Sequence, residues 1–128
     1  MLAAAVLAIC AALPPEKDAA TLTVALVNLK ALYTDGPDPA KNKANLDANL
    51  KRHGQFIDRC AAAGAEFVGF PELSVNGYHF SKDMTWLALD GPELKVLRDK
   101  AAEKGVYVSA GVAEVDADGK KWNTQVVF

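Results

Sequence analysis

The stretch EFVGFPELSVNGYHF, residues Glu66 to Phe80, decides how the chain is interpreted. It opens with a short apolar run, EFVGF, between Gly64 and Pro71, and such a run is typical of a buried β-strand. Glu72 follows the proline directly. In α/β sheets, functional side chains gather at the carboxyl ends of the strands. Glu72 is therefore either a candidate catalytic acid or base or a solvated carboxylate at a strand end.

The residues before this stretch predict a strand and then a helix. Thr21 to Leu29, TLTVALVNL, is rich in β-branched and apolar residues and indicates a first buried strand. A loop with Asp35-Gly36 and two prolines follows, and the chain then predicts a helix over about residues 39–63, which Gly64 ends. The apolar residues that define its inner face are Leu46, Leu50, Ile57 and Ala61. Strand, helix and strand in this order favour parallel pairing.

The residues after this stretch predict a second helix and a hairpin. Gly91-Pro92 opens the helix, and Gly105 ends it. VYVSAGVAEV and KWNTQVVF then predict two strands joined by Asp116-Ala117-Asp118-Gly119, whose Asp-Gly pair favours a tight antiparallel turn. The fold class is therefore α/β with a mixed sheet.

The first 20 residues differ from the rest. Leu2 to Leu13 carries no charge and ends at Pro14-Pro15, and a run of this length matches a secretory signal better than a membrane span. We expect residues 1–20 to be a signal peptide or leader and residues 21–128 to be the structured part. This predicts a secreted or periplasmic protein; without a signal the protein would be cytoplasmic.

Composition excludes several classes of function. The 128 residues are 51% hydrophobic, enough for a core, and carry a net charge of -2 without a basic run, so nucleic acid is not an expected partner. The loop after the first strand has no Gly-rich phosphate cradle, which argues against nucleotide binding. His53 and His79 lack metal-ligand spacing, so neither a metal nor another cofactor is expected.

The segment FPELSVNGY resembles the sequence around the catalytic glutamate of the nitrilase or carbon-nitrogen hydrolase superfamily. The order of the opening strand, the two helix-strand units and the hairpin is also similar to that family, from Thr21 to Phe128. The resemblance implies part of an α-β-β-α sandwich, here truncated after its fourth strand as the amino-terminal half of the domain. It also implies a homo-oligomer in the full-length protein.

That resemblance implies a Glu, Lys, Cys mechanism for hydrolysing amides, nitriles or N-carbamoyl compounds. Glu72 matches the glutamate, whereas the family's lysine and cysteine motifs lie downstream of Phe128, so neither role is transferred to a residue of this chain. Tyr78, and less directly Asn76, would line the substrate pocket. Packing of Tyr78 against its own loop is the alternative.

Other reactive residues receive structural interpretations. Cys60 is expected to be a small buried hydrophobe on the first helix, His53 a hydrogen-bonded packing residue, and Lys82 a solvated loop charge. Glu114 is expected to pair across the sheet or to cap a strand. The Trp122-Asn123 pair at the start of the last strand is interpreted as structural.

A second hypothesis belongs to a different class. The chain could be a short, inactive relative of the family that acts as a non-enzymatic binding or interaction module. It would then end on an unpaired apolar strand, which invites aggregation. As a hydrolase, the 128-residue chain alone would be inactive because a base without a nucleophile provides no covalent route.

Overall fold

A computed structural model of the chain describes residues 21–79 and 81–128, and the predicted leader lies outside these ranges. Neither helix in the described part has the length and hydropathy needed to cross a bilayer. The elements in chain order are β1 (Val24–Leu26), α1 (Pro39–Ala62), β2 (Phe67–Gly69), α2 (Pro92–Lys104), β3 (Tyr107–Val115) and β4 (Lys121–Val127).

The four strands form one mixed sheet in the order β1-β2-β3-β4. The first three strands run parallel, and β4 returns antiparallel to β3, which confirms the predicted hairpin and the mixed sheet. β1 is shorter than the predicted strand at residues 21–29, because the chain beyond Val27 leaves the ladder. From Lys30 onward its backbone bonds instead to side chains of α1.

Both helices cover one face of the sheet and form the main core with it. Alternate strand residues such as Val68, Val108 and Val112 are fully buried against the helices. The predicted inner residues Leu46, Leu50 and Ile57 are buried, but Ala61 is only partly buried and Cys60 occupies the inner position in its place.

The opposite face of the sheet is exposed only in part, because Ser109 and Ala113 of β3 are buried there. Strand residues that alternate with the core positions project there, and Val24, Leu26, Tyr107 and Val127 are each about half exposed or more. The described residues thus make one helix layer and one sheet, and the exposed part of the opposite face lies where a sandwich adds its second sheet.

Helix boundaries follow local chemistry. α1 begins with Pro39 after Asp38, whose carboxylate accepts from two backbone amides of the first turn. α2 begins with Pro92 and ends at Gly105, which has a φ of 63°. The two helices are linked by Asp58, whose carboxylate lies 3.3 Å or less from the ammonium groups of Lys100 and Lys104.

Two glycines on the helices should respond oppositely to alanine. Gly54 lies within α1 and has only the tip of Lys100 within 4 Å of a built Cβ, so Gly54→Ala should raise the free energy of unfolding by roughly 0.5–1 kcal/mol. Gly105→Ala should lower it by about 1 kcal/mol, because the left-handed backbone strains any side chain. Urea unfolding measures the free energy of unfolding of both variants. Changes of the same sign would contradict these helix boundaries.

Candidate active site

Two loops leave the same edge of the sheet and enclose a cleft. Because β1 and β2 are parallel, the loops that follow them start side by side. Between them lies a cavity of about 310 Å³, a size suited to a small molecule. One wall is formed by Asn28, Leu29, Lys30, Ala31 and Tyr33, and the other by Pro71, Glu72, Leu73, Ser74 and Tyr78.

Glu72 lies in the wall that follows β2, and its side chain is exposed to the cleft. The Nδ2 of Asn123 donates a hydrogen bond to Glu72 Oε1 at 2.5 Å. Asn123 reaches this point because β4 runs antiparallel to β3, which brings the start of β4 to the edge where the parallel strands end. The sequence interpretation of Asn123 as structural missed this contact, and the hairpin register, which pairs Ala113 with Asn123, was the available signal.

The chain around Glu72 crosses directly over β3 at Gly111. A Cβ built on Gly111 would lie 2.2 Å from the backbone nitrogen of Leu73 and 2.7 Å from the Cα of Glu72. Only glycine allows this approach, because the neighbouring atoms are backbone and cannot rotate away. The carbonyl of Gly111 also accepts from the amide of Val75 at 3.1 Å, so the loop is hydrogen-bonded to β3 where it crosses.

The backbone is strained immediately after Glu72. Leu73 has a φ of 48°, in the left-handed region that a leucine rarely adopts, and its side chain is fully buried against Met84 and Ala113. Burial of the leucine compensates for the unfavourable backbone. The sharp turn that results presents the Glu72 carboxylate to the cleft instead of burying it.

Gly111→Ala should therefore be strongly destabilising. We expect the free energy of unfolding to fall by roughly 3 kcal/mol, because the new methyl group overlaps the Glu72-Leu73 backbone. Gly69→Ala is the matched control on β2, where the nearest atom is the tip of the 81% exposed Leu26, and it should change stability by less than about 1 kcal/mol. Equal effects in chemical denaturation would show that the close crossing at Gly111 is not required.

Side chains of α1 hold the wall that follows β1. The Asn42 amide bonds both backbone groups of Gly36, and Asn49 bonds both backbone groups of Leu32 at 2.8 Å. Asn45, between these two asparagines, donates to the carbonyl of Tyr33. Arg52, in the next turn of the helix, donates to the carbonyl of Lys30. These residues are spaced by three or four, so they form one polar stripe along the helix. We call the set Asn42, Asn45, Asn49 and Arg52 the polar stripe.

The helix also holds the second wall. The amide of Asn49 donates to the carbonyl of Val75 at 2.9 Å, and His53 Nε2 lies 3.0 Å from the hydroxyl of Ser74. His53 Nδ1 lies 2.8 Å from the carbonyl of Asn49, which can only accept, so Nδ1 carries the proton and Nε2 accepts from Ser74. His53 is thus the hydrogen-bonded packing residue that the sequence predicts.

Burial lowers the pKa of His53 from 6.5 to about 4, with a smaller contribution from Arg52, while the bond to the Asn49 carbonyl opposes the shift. The neutral ring packs at a tilt against Phe70, with 4.3 Å between the ring centroids. The fold therefore requires the uncharged form of this histidine.

This lowered pKa predicts a loss of stability in mild acid. Between pH 6.5 and about 4 the unfolded chain binds a proton at His53 that the folded chain does not, so stability present above pH 6.5 is lost as the pH falls. The loss approaches about 3 kcal/mol at the acid end of the window. Denaturant unfolding across this range should show the slope, and His53→Gln should flatten it. An unchanged slope in His53→Gln would contradict the assignment of the slope to His53.

Two residues of the second loop hold it against the first. The imidazole of His79 pairs with the carboxylate of Asp35, and its ring lies at a tilt 5.4 Å from that of Tyr33. Gly77 has a φ of 86°, and a Cβ there would lie 2.7 Å from the carbonyl of Leu32, so glycine is required where the loops touch. The two walls of the cleft therefore meet at its rim.

Of the two residues expected in the pocket, Tyr78 lines it and Asn76 does not. Tyr78 lines the cleft and is 61% exposed, which is compatible with substrate contact. Asn76 does not line it and corrects that expectation: its Oδ1 accepts from Ala113 and its Nδ2 donates to the carbonyl of Thr85. Its own carbonyl accepts from Thr34. Asn76 is a buried structural residue that joins the second loop to its surroundings.

The remaining candidates lie away from the cleft. Cys60 is buried in the main core, and burial raises the pKa of its thiol, which does not favour a nucleophile. Lys82 has a 90% exposed side chain beside Asp83. Glu114 accepts from Thr124 across the β3-β4 pair, as predicted. Within residues 21–79 and 81–128, no three His, Cys, Asp or Glu side chains are grouped so that they could hold a metal ion.

Comparison with known proteins assigns the family. The sequence model of the carbon-nitrogen hydrolases matches residues 23–128, and the chain belongs to this family. It is 30% identical over 99 residues to a cyanide hydratase of Aspergillus niger, covering 66% of this chain and 28% of that protein. It is also 30% identical over 105 residues to a hydrolase of Mycobacterium tuberculosis, covering 82% of this chain and 34% of the relative.

Solved structures confirm the fold. An N-terminal amidase bound to an Asn-Glu-Ala peptide matches with a TM-score of 0.65 at 21% identity, covering 83% of this chain and 25% of the amidase. An amidase from Nesterenkonia sp. matches with the same TM-score at 18% identity, covering 83% of this chain and 37% of that one. The chain thus spans between about a quarter and just over a third of the length of these relatives.

Proposed function

We propose that residues 21–128 provide the proton-transferring part of a hydrolase that acts on non-peptide carbon-nitrogen bonds, with Glu72 as the acid and base. The placement of Glu72 supports this most directly. Its carboxylate lies beyond the end of β2 in the wall of a cleft of about 310 Å³, beside the strained backbone of Leu73 and where the chain crosses Gly111 closely. A carboxylate that merely ended a strand would not need this strained backbone.

Glu72 has the hydrogen bonding that proton transfer requires. Asn123 holds Oε1, which fixes the orientation of the carboxylate. Oε2 has no hydrogen-bond partner in the described parts of the chain and is available to a proton. In the proposed mechanism Glu72 accepts the proton of a cysteine thiol as the sulfur attacks the substrate carbon. It later returns a proton to the nitrogen of the substrate.

The complete mechanism also needs a cysteine and a lysine. Cys60 is buried in the core, so we assign the nucleophile, and the lysine that stabilises developing negative charge, to other parts of the complete protein. Residues 21–128 alone should therefore show no turnover. The substrate is a small amide, nitrile or ureido compound, and the names of the cyanide hydratase and amidase relatives are compatible with this range.

The test is Glu72→Gln in the complete protein. Glutamine keeps the shape and the contact with Asn123 but cannot carry the proton, so kcat should fall by roughly a thousandfold or more while KM changes little. A panel of small amides, nitriles and ureido compounds, followed by chromatography, provides the assay.

Glu114→Gln is the matched control. Glu114 pairs with Thr124 and does not line the cleft, so this variant should retain activity. Wild-type turnover by Glu72→Gln would overturn the assignment of Glu72.

A further inference from the structure

One lysine lines the cleft, and the mechanism above does not explain its role. Lys30, in the wall that follows β1, and Glu72, in the opposite wall, are the charged residues that line it. Lys30 is exposed, and its ammonium group has no ion pair or hydrogen bond within residues 21–79 and 81–128. An ammonium without an acceptor, on a residue that lines a cleft, is suited to binding an anionic group of a ligand.

The backbone at Lys30 is fixed, although its side chain is unpaired. Arg52 donates to the carbonyl of Lys30 at 2.8 Å, and both backbone groups of Leu32 are bonded to Asn49. These contacts fix the backbone of this wall at Lys30 and Leu32. When a ligand binds, only the side-chain torsions of Lys30 then need to change.

Glu72 is not the counter-ion of Lys30. The described structure contains no ion pair between them, and Glu72 Oε1 is bonded to Asn123. A Glu72-Lys30 ion pair would also hold the carboxylate in its charged form and oppose the proton transfer proposed above. The acceptor for the ammonium must therefore arrive with the ligand.

We propose that Lys30 binds an anionic group of the substrate, and that the substrate is an amide, nitrile or ureido compound that carries a carboxylate. This inference rests on the proposed function, since it names the substrate class of the same cleft. Glu72 acts at the carbon-nitrogen bond, and Lys30 on the facing wall binds the carboxylate at the other end of the molecule. Lys30 is thus a specificity-determining residue.

The experiment compares matched substrates in the complete protein. Succinamate and butyramide share an amide and two methylenes and differ in the terminal carboxylate or methyl group. 3-Cyanopropanoate with butyronitrile, and N-carbamoyl-β-alanine with propylurea, make the same comparison for nitriles and ureido compounds. For whichever pair the wild type hydrolyses, its kcat/KM should be at least tenfold higher for the acid than for the neutral partner. One charge-assisted hydrogen bond accounts for a difference of this size.

Variants of Lys30 then test the residue itself. Lys30→Met should lower kcat/KM for the acid by about 10- to 100-fold, mainly through KM, and affect the neutral partner much less. Lys30→Arg should retain the preference because it keeps the positive charge. Lys82→Met is the control, since Lys82 lies outside the cleft with a 90% exposed side chain. Equal losses on both substrates, or no loss on the acid, would overturn the proposal.

A binding measurement separates this proposal from the proposed function. Titration calorimetry with succinamate and butyramide on Glu72→Gln and on Glu72→Gln/Lys30→Met needs no turnover. Tighter binding of the acid that is lost with Lys30 supports the anion site even if Glu72 proves not to be catalytic. Equal affinity of the two ligands for Glu72→Gln overturns the anion site and leaves the assignment of Glu72 intact.

Discussion

Hydrogen bonds from the side chains of α1 hold both walls of the cleft, and the rest of the site depends on them. The loop after β1 leaves the sheet early, so its backbone groups need partners other than a neighbouring strand. The polar stripe provides these partners at Gly36, Tyr33, Leu32 and Lys30. Each such hydrogen bond contributes about 0.5–1.5 kcal/mol, so together they favour one position of the loop on the helix.

The second wall is fixed from the opposite side. β3 is nine residues long whereas β2 has three, so the chain that leaves β2 continues alongside β3 and crosses it at Gly111. Asn49 and His53 then connect this wall to α1. The carboxylate of Glu72 is therefore positioned by the sheet, by the helix and by β4 together. A site built in this way tolerates little change in the contacts beneath it.

The elements of the fold were readable from the sequence, because local signals determine them. Prolines and glycines marked both ends of α1 and α2, and the observed end of α1 at Ala62 lies one residue from the prediction. Alternation and the Asp-Gly turn predicted the hairpin. The short β1 was missed, because an apolar run such as Thr21 to Leu29 does not reveal that its last residues bond to a helix instead of a strand.

The site was readable only in part. Glu72 and Tyr78 were singled out because a family resemblance marks their segment, and both line the cleft. Cys60 and His53 were expected to be buried because their helical positions place them inward. The polar stripe was missed although its spacing is regular, since asparagines on a helix usually face solvent and their partners here lie on a loop that precedes the helix. Asn123 was missed because its contact with Glu72 depends on the register of a hairpin some fifty residues away.

The buried amide of Asn76 has a consequence for the chemical ageing of the protein. Asn76 precedes Gly77, and glycine has no side chain to hinder attack of its backbone nitrogen on the asparagine side chain, the step that begins deamidation. In the folded chain the Asn76 amide is held by Ala113 and Thr85, and the Gly77 nitrogen donates to Leu73. The native fold therefore protects this pair, whereas each opening of the loop exposes it. Deamidation would place a carboxylate against the carbonyl of Thr85, so a molecule that ages here loses the support of the loop that carries Glu72 without losing any residue of the cleft.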